Sequence, residues 1–423
     1  MKSNIAKAKA LFERNGALLL LLILPFFSLA QEKGVHFQEG LSWTAIQAKA
    51  KAENKYIFVD CFTTWCGPCK YMKNTIFPQA ECGNYFNDKF ISVEVQLDST
   101  KADNEAVRGW YSDAHAIMQQ YDIRAFPTYL VFTPDGHAVH RMVGSDVAVK
   151  SFVERVQHSF DPEKQYYTQL QKFRDGEKDS AFLRKLTVMA QNAYDMKNAE
   201  PVAKAYFATQ TNLFTPGTLA LLNEFTSSTK DKGFEVFFHH AAETDKILGA
   251  GKAEKKVRDI LIREYVYSKV LANNAPAPDW AAIQGSLAAS YPEQAPEVVA
   301  LGKVGYYQRK NDWNNFQTAV VDYMTQFGAS VDPGQLNSYA WTVFQHCPDM
   351  HCVTEALEWS KRSFKDNQEP GFMDTYANIL YKMGKKDDAI AWEEKARDLS
   401  GEGDKKGFQE TIDKMKKGEK TWD

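Results

Sequence analysis

Two cysteines separated by two residues are the part of this sequence best suited to chemistry. They are Cys66 and Cys69, in the segment Trp65-Cys66-Gly67-Pro68-Cys69-Lys70. Thiol–disulfide exchange needs one sulfur that attacks as a thiolate and a second that displaces it from a mixed disulfide. At a helix start, unpaired N–H groups and the helix dipole stabilise a thiolate on the first cysteine, and the second lies one turn inward. Gly67 permits a tight turn and Pro68 is tolerated in a first turn. The spacing therefore predicts Cys66 as the attacking sulfur and Cys69 as the resolving sulfur.

The same spacing also occurs in zinc sites, which need further cysteine or histidine ligands within reach. The comparable pair, Cys347 and Cys352, lies in a distant segment, so we expect no metal and no cofactor at Cys66. For Cys347 and Cys352 a structural disulfide is the favoured prediction; a second redox centre or a metal site with His351 stays open. Cys61 is expected to be a small buried side chain. For Cys82, the role of a regulatory or partner-forming thiol stays open.

The residues around Cys66 alternate between strand and helix patterns. Apolar runs rich in β-branched and aromatic residues predict strands over 56–62, 90–97, 128–132 and 138–143. Thr133-Pro134-Asp135-Gly136 supplies a turn between the last two, which predicts an antiparallel hairpin. Apolar residues at helical spacing follow Asp146. The pattern predicts an α/β domain over residues 31–160.

The segment Val59-Asp60-Cys61-Phe62-Thr63-Thr64-Trp65-Cys66-Gly67-Pro68-Cys69-Lys70 resembles the active-site segment of the thioredoxin superfamily. Arg124-Ala125-Phe126-Pro127-Thr128 is similar to the second signature of that family, and the continuation after Lys70 is similar to the periplasmic thioredoxin-like domain of DsbD. The resemblance covers about 125 residues, Gly34 to Ser159. One departure is a longer segment between Asp98 and Ala114, which includes Trp110 and Tyr111. Simple packing as a loop is the favoured prediction, and a surface for a partner is the alternative.

This resemblance implies a thioredoxin-like fold and a set of groove residues. Pro127 would be cis and would present the backbone of Phe126 to an incoming peptide. The residues implied to bind substrate are Trp65, Gly67, Pro68, Phe126, Pro127, Val143 and Gly144. The implied partners are protein thiols and disulfides, together with an upstream redox protein.

The resemblance also places a buried proton acceptor at Asp60, six residues before Cys66. Aligning the strand that starts at Phe90 puts Glu94 where thioredoxin has a lysine. A carboxylate there would raise the pKa of Asp60, as burial also does, and the pair would hold a proton near neutral pH for resolution by Cys69. A register shifted by one residue would instead turn Glu94 to the other face.

After Asp161-Pro162 the sequence predicts helices to the end of the chain. Glu355-Ala356-Leu357-Glu358-Trp359 recurs as Asp388-Ala389-Ile390-Ala391-Trp392, an offset close to the tetratricopeptide period of about 34 residues. We predict tetratricopeptide-like helices over 331–423 and a helical region over 161–330, either divergent repeats or a plain bundle. Four aromatic residues in this part are expected to fill the core: Trp341, Trp359, Tyr376 and Trp392.

The N-terminal segment indicates where the protein is located, and the net charge limits the classes of partner. Lysine and arginine residues precede an apolar run from Ala17 to Leu29 that ends near Ala30, which is typical of a cleaved signal peptide over residues 1–30. The run is shorter than the ~20 residues of a membrane span, so a retained anchor is the less favoured alternative. A net charge of -3 favours no nucleic-acid partner. We expect a periplasmic or otherwise exported protein.

These observations predict an exported thiol–disulfide oxidoreductase, a reductase or isomerase rather than an oxidase, with helices that bind partners. The alternative is a helical-repeat binding protein whose thioredoxin-like domain serves as a redox-sensitive docking unit.

Overall fold

The computed structural model describes residues 34–270 and 277–422. The predicted signal peptide lies outside these residues. Among them, no helix is both long and apolar enough to cross a membrane. The chain divides into two compact units, Met1–Thr211 and Asn212–Asp423, and each is considered by itself. The predicted boundaries at residues 160 and 330 stay predictions.

The first unit is built on a four-stranded sheet. Its strands are β1 Tyr56–Phe62, β2 Phe90–Gln96, β3 Thr128–Phe132 and β4 Ala138–Val143. In the order β2-β1-β3-β4, β1 is parallel to β2 and antiparallel to β3, while β3 and β4 form the predicted antiparallel hairpin. Because β1 is central, its inner five residues are all buried, as expected for a strand covered on both faces.

Helices cover both faces of this sheet. Their bounds are α1 Trp43–Glu53, α2 Gly67–Tyr71, α3 Ala80–Lys89, α4 Glu105–Gln120 and α5 Val149–Gln157. α2 continues into a π-helical segment, Met72–Ile76. One apolar layer joins Phe58 and Tyr129 to this π-helical segment, α3 and α5, and the other joins Val59 and Cys61 to α1 and α4. The fold is thioredoxin-like, as predicted.

The segment after Asp98 differs from the prediction of a loop. α4 begins at Glu105, where the Asn104 side chain accepts a hydrogen bond from the Val107 N–H. Trp110 therefore packs from a helix against the apolar layer of α1, and the Tyr111 hydroxyl donates to Asp103 at 2.6 Å. A side-chain cap at an asparagine stabilises a helix start, and this signal outweighs the irregular composition of the segment.

Three further helices complete the first unit. They are α6 Tyr166–Arg174, α7 Ser180–Asn192 and α8 Met196–Thr209, preceded by a 3₁₀ turn at His158–Phe160. Buried Arg141 of β4 donates to the carbonyl of Tyr121 at 2.6 Å and lies 3.9 Å from Asp195, which also accepts from Tyr166. These polar contacts join the helices to the edge of the sheet.

The second unit is helical throughout its described residues. Its first helices are α9 Pro216–Phe225, α10 Lys232–His239, α11 Ala241–Leu248, α12 Lys252–Leu261, α13 Ser268–Val270, α14 Trp280–Ala288, α15 Ala295–Arg309 and α16 Trp313–Phe327. A π-helical segment, Ile262–Tyr267, joins α12 to α13, and a 3₁₀ turn, Gly328–Ser330, follows α16. The last helices are α17 Pro333–His346, α18 Met350–Ser363, α19 Pro370–Lys382, α20 Lys386–Leu399 and α21 Lys405–Lys417.

The two halves of the sequence echo fall on α18 and α20. Trp359 is buried, and Trp341, Tyr376 and Trp392 are partly buried against the same apolar cluster. These aromatic residues fill space between helices, as the sequence favoured. Assignment of this part to the tetratricopeptide class stays a prediction.

Candidate active site

Cys66 and Cys69 are joined by a disulfide at the start of α2, with their Cα atoms 5.3 Å apart. Cys66 is the N-cap of the helix, and its sulfur accepts a hydrogen bond from the Cys69 N–H at 3.1 Å. Gly67 and Pro68 occupy the first turn, where helix N–H groups have no partner in the helix. Only 3% of Cys66 and 5% of Cys69 is exposed.

An aromatic rim lies beside this disulfide. Trp65 is 68% exposed, and its ring meets that of Phe126 edge-on with centroids 5.7 Å apart. The Phe126–Pro127 peptide bond is cis, as the family resemblance implies. The role predicted for Trp65 and Phe126 in binding a substrate stays a prediction.

Val143 and Gly144 complete the predicted groove next to the proline. Val143 pairs with Thr128, and the Gly144 N–H donates to the Pro127 carbonyl at 2.9 Å. Gly144 has φ +91, a conformation that side chains with a Cβ rarely adopt. Arg155 donates to the Val143 carbonyl at 2.8 Å, and this hydrogen bond stabilises the turn.

The loop before Cys66 is anchored by a residue that sequence reasoning missed. Asp98 accepts hydrogen bonds from the Thr64 N–H at 2.9 Å and from the Thr64 hydroxyl at 2.5 Å. Two bonds to one carboxylate fix both the backbone and the side chain of Thr64. The only sequence signal for this role was an acidic residue immediately after the second strand.

Asp60 and Glu94 are direct partners in the parallel pairing of β1 and β2. They therefore lie on the same face of the sheet, the face on which the π-helical segment after α2 packs. The shifted register is not the one found. Asp60 is 2% exposed and its Oδ1 has no hydrogen-bond partner. Burial raises the pKa of Asp60 well above its usual value, and the charge of Glu94 raises it further.

Lys73 adds a cation that was not predicted here from the sequence. Its ammonium group lies 2.8 Å from Glu94, which is about one fifth exposed, and it lowers the pKa of Asp60 against the two raising effects. Lys73 follows Cys69 by four residues, a spacing that places two residues on one helical face. That spacing was the feature of the sequence that could have suggested a position for Lys73 near the site. The carboxyl pair therefore retains a cationic neighbour, supplied by the π-helical segment rather than by β2.

Tyr129 flanks Asp60 on its other side, because the two residues pair across β1 and β3. The Tyr129 hydroxyl is buried without a hydrogen-bond partner. Burial raises the pKa of Tyr129, followed by the effect of Asp60. The surroundings of Asp60 are thus largely apolar, which favours the protonated carboxyl group.

The remaining cysteines are buried free thiols. Cys61 packs on the face opposite Asp60, as predicted, and burial raises its pKa. Burial raises the pKa of Cys82 to about 12, so this residue lacks the low pKa expected of a regulatory thiol.

The predicted disulfide between Cys347 and Cys352 is not formed in the structure. Cys347 caps the end of α17, Cys352 lies in the first turn of α18, and both pack in the apolar cluster of these helices. The Cys352 thiol also lies 3.8 Å from the Asp349 carboxylate. Both cysteines therefore act as small apolar core residues. Within residues 34–270 and 277–422, no group of three or more His, Cys, Asp or Glu side chains is placed to hold a metal ion.

Comparison with known proteins locates the similarity in the first unit. The Thioredoxin-like domain family matches residues 44–152. Thioredoxin H-type of Chlamydomonas reinhardtii is 35% identical over 105 residues, which are 25% of this chain and 76% of the relative. The thiol:disulfide interchange protein DsbD of Pseudomonas fluorescens is 25% identical over 109 residues, or 25% of this chain and 16% of that protein.

Among solved structures, a candidate disulphide-isomerase from Bacteroides thetaiotaomicron is similar at 30% identity. The match covers 31% of this chain and 98% of that one, with a TM-score of 0.26. The chain spans only 46% and 64% of the length of two further curated relatives.

Proposed function

The chain belongs to the thioredoxin family through residues 44–152, and from this premise we propose that it is an exported thiol–disulfide oxidoreductase acting on protein substrates. The observation that carries the proposal is the Cys66–Cys69 disulfide at the start of α2. The buried carboxyl group of Asp60 lies on the face of the sheet that the π-helical continuation of this helix covers. This arrangement supplies an attacking sulfur, a resolving sulfur and a proton acceptor.

In the reducing direction, the Cys66 thiolate attacks a substrate disulfide and releases one substrate thiolate. Cys69 then attacks the Cys66 sulfur of the mixed disulfide, so that the second substrate thiolate leaves and the Cys66–Cys69 bond forms. The proton lost by Cys69 passes to Asp60, whose raised pKa suits a general base close to neutral pH. Two electrons move from the enzyme to the substrate, and an upstream redox protein restores the dithiol.

The direction of exchange is the finer part of the proposal. Members of this superfamily span roughly 150 mV in reduction potential, or about 7 kcal/mol for two electrons. The Gly67-Pro68 dipeptide favours a reductase or an isomerase. The reduction potential of the Cys66/Cys69 couple, measured against glutathione, decides this point, and a value near that of strongly oxidising members would contradict the preference.

Export and partner binding complete the proposal. The basic and apolar residues before Gln31 support a cleaved signal, and disulfides persist outside the cytoplasm. N-terminal sequencing of the exported protein should begin at Gln31. The helices of the second unit offer surface for recruiting substrates, as stacked helix pairs do.

Insulin reduction by the full chain tests the enzymatic proposal. We expect turnover for the wild type and none for Cys66→Ala, whereas Cys69→Ala should accumulate mixed disulfides with its substrates. Cys352→Ala, which changes a buried thiol of the other unit, is the matched control and should retain activity. Turnover by Cys66→Ala would contradict the assignment. Absence of turnover in a folded wild type would favour the alternative of a binding protein with a redox-sensitive domain.

A further inference from the structure

The second unit contains a cavity of about 780 Å³, within the size range of small-ligand sites. It is lined by the first half of α19, the end of α20, the first half of α21 and one side of Trp341. Its charged lining residues are Glu369, Asp374 and Asp404, and none of the lining residues is a lysine, arginine or histidine. The charge presented to a ligand is therefore negative.

A buried hydrogen-bond acceptor without a partner belongs to Asn378, one of the residues that line this cavity. Asn378 is 2% exposed; its amide donates to Asp374 Oδ1 at 3.1 Å, while its own Oδ1 has no partner. Glu393 is completely buried beside Asp374, and the hydrogen bond between their side chains needs a proton on one of the two carboxyl groups. The unpaired acceptor of Asn378 costs free energy unless a donor satisfies it.

A proton on Glu393 relieves the cost of burying the two carboxyl groups. Burial raises the pKa of Glu393 to about 10, with Asp374 as the next cause, and burial also raises the pKa of Asp374. Near neutral pH Glu393 therefore keeps its proton, which allows it to donate to Asp374. The Oδ1 of Asn378 gains no donor from this arrangement.

An organic cation would satisfy these groups better than a metal ion. An ammonium group offers three donors and a guanidinium group five, whereas a divalent metal needs more oxygen ligands than this pair supplies. Trp341 and Phe408 line the same cavity, and aromatic side chains accommodate both a cation and its apolar stem. The lysines at the start of α21 are already engaged, Lys405 with Glu402 and Lys406 with Glu410.

We propose that this cavity binds the ammonium or guanidinium group of a lysine or arginine side chain on a protein partner, with Asp374 and Asn378 as its direct ligands. Glu393 lies behind Asp374 and releases its proton when the cation enters. This inference rests on the partner-binding role proposed for the helices. It does not depend on Cys66 or Cys69.

Isothermal titration of the full chain tests the site with Nα-acetyl-lysine amide and Nα-acetyl-arginine amide. Nα-acetyl-norleucine amide is the neutral control, and 1,5-diaminopentane distinguishes a free amine from a side chain. We expect saturable binding of the cationic amides, at least tenfold tighter than that of the norleucine compound. Repeating the titration in buffers of different ionisation enthalpy should show release of up to one proton per ligand at pH 7, and affinity should rise from pH 6 to pH 8.

Three substitutions make the assignment specific. Asp374→Asn should weaken binding at least tenfold, and Glu393→Gln should retain binding but abolish proton release. Glu410→Gln, an exposed carboxylate paired with Lys406 outside the cavity, should change neither. If Asp374→Asn does not fold, Asp404→Asn should still weaken binding several-fold. Insulin turnover should be unaffected by these variants, so a failure here is separable from a failure of the redox proposal.

Absence of saturable binding by the wild type would overturn the proposal. So would equal affinity in the wild type and the folded Asp374→Asn variant, undiminished proton release in Glu393→Gln, or preferential binding of 1,5-diaminopentane over the amides.

Discussion

Each compact unit buries a pair of cysteines and a pair of carboxyl groups, and their surroundings give them different chemistry. In the first unit Cys66 and Cys69 lie within one helical turn and form a disulfide. In the second unit Cys347 and Cys352 lie at the ends of two different helices and remain thiols. Cys66 is the N-cap of its helix, where a thiolate is stabilised. Cys352 also lies in the first turn of a helix, but burial raises its pKa.

The carboxyl pairs differ in their neighbours. Asp60 and Glu94 face each other across two strands, and Lys73 lies 2.8 Å from Glu94. Asp374 and Glu393 belong to two packed helices, and no cationic residue is among the causes of either pKa shift. Opposing charges thus act on the pKa of Asp60 in the first pair. In the second pair, burial and the interaction between the two carboxyl groups determine the pKa of Glu393. Four predictions test this comparison.

The largest expected contrast is in thiol reactivity. Burial raises the pKa of Cys82 and Cys347 to about 12, so at pH 7.5 a thiolate forms in on the order of one molecule in 10,000 or fewer. After reduction of the native protein, N-ethylmaleimide should modify Cys66 first and leave four cysteines unmodified until the chain is unfolded. Those four are Cys61, Cys82, Cys347 and Cys352.

Peptide mass spectrometry of native and unfolded samples measures this contrast. Recovery of a Cys347–Cys352 disulfide from unreduced exported protein would contradict the two free thiols and restore the prediction made from the sequence.

A second, smaller effect concerns the proton acceptor. Asp60→Asn cannot accept the proton of Cys69, and loss of a general base typically costs 10² to 10⁴ in rate. We expect resolution to slow by about 10²-fold or more, measured as release of the second thionitrobenzoate after reaction of the reduced protein with Ellman's reagent. Asp88→Asn, an exposed residue beside Lys89, is the control. An unchanged resolution rate in folded Asp60→Asn would remove Asp60 from the mechanism.

How much of this arrangement the sequence could predict depended on whether the signal was local. The strands, the hairpin at Gly136 and the start of α2 follow from composition and turn residues within a few positions. The placement of Glu94 beside Asp60 came only from the resemblance to thioredoxin, and the sequence left open a register shifted by one residue, which the strand pairing of the structure does not have. The helix over Glu105–Gln120 was missed, although Asn104 is a residue type that favours a helix start.

Contacts between elements that are distant in the chain could not be predicted from the sequence. The π-helical segment after Tyr71 alters the phase of the helix, so spacing alone could not establish which way Lys73 points. Asp374 and Glu393 lie on different helices and share no local pattern. The prediction of a disulfide between Cys347 and Cys352 was wrong for a related reason. Closeness in sequence does not determine whether two cysteines form a disulfide or pack as separate thiols in a core.

The third prediction concerns stability in the second unit. The pKa of Glu393 is about 10 in the folded chain, against an ordinary value near 4.3. Between these values the folded state holds a proton that the unfolded state lacks, so stability should fall as pH rises, by at most about 1.4 kcal/mol per pH unit. Glu393→Gln should flatten this dependence, seen in thermal unfolding of the second unit between pH 5 and pH 9. Glu410→Gln should leave the slope unchanged, and equal slopes in all three proteins would contradict the assignment.

The smallest effect separates the two charges that act on Asp60. Resolution should speed up as pH rises through the pKa of Asp60, because only the carboxylate accepts a proton. Glu94 raises this pKa and Lys73 lowers it. Glu94→Gln should therefore move the pH–rate profile to lower pH, and Lys73→Met should move it to higher pH. Each shift should be on the order of one pH unit or less, because both residues are partly exposed and solvent screens their charges. Lys70→Met removes an exposed lysine from α2, and it should leave the profile in place. Opposite shifts in the Glu94 and Lys73 variants, with no shift in the Lys70 variant, would identify a carboxyl group whose pKa depends on both neighbours. Shifts of the same sign in the Glu94 and Lys73 variants would exclude this electrostatic account.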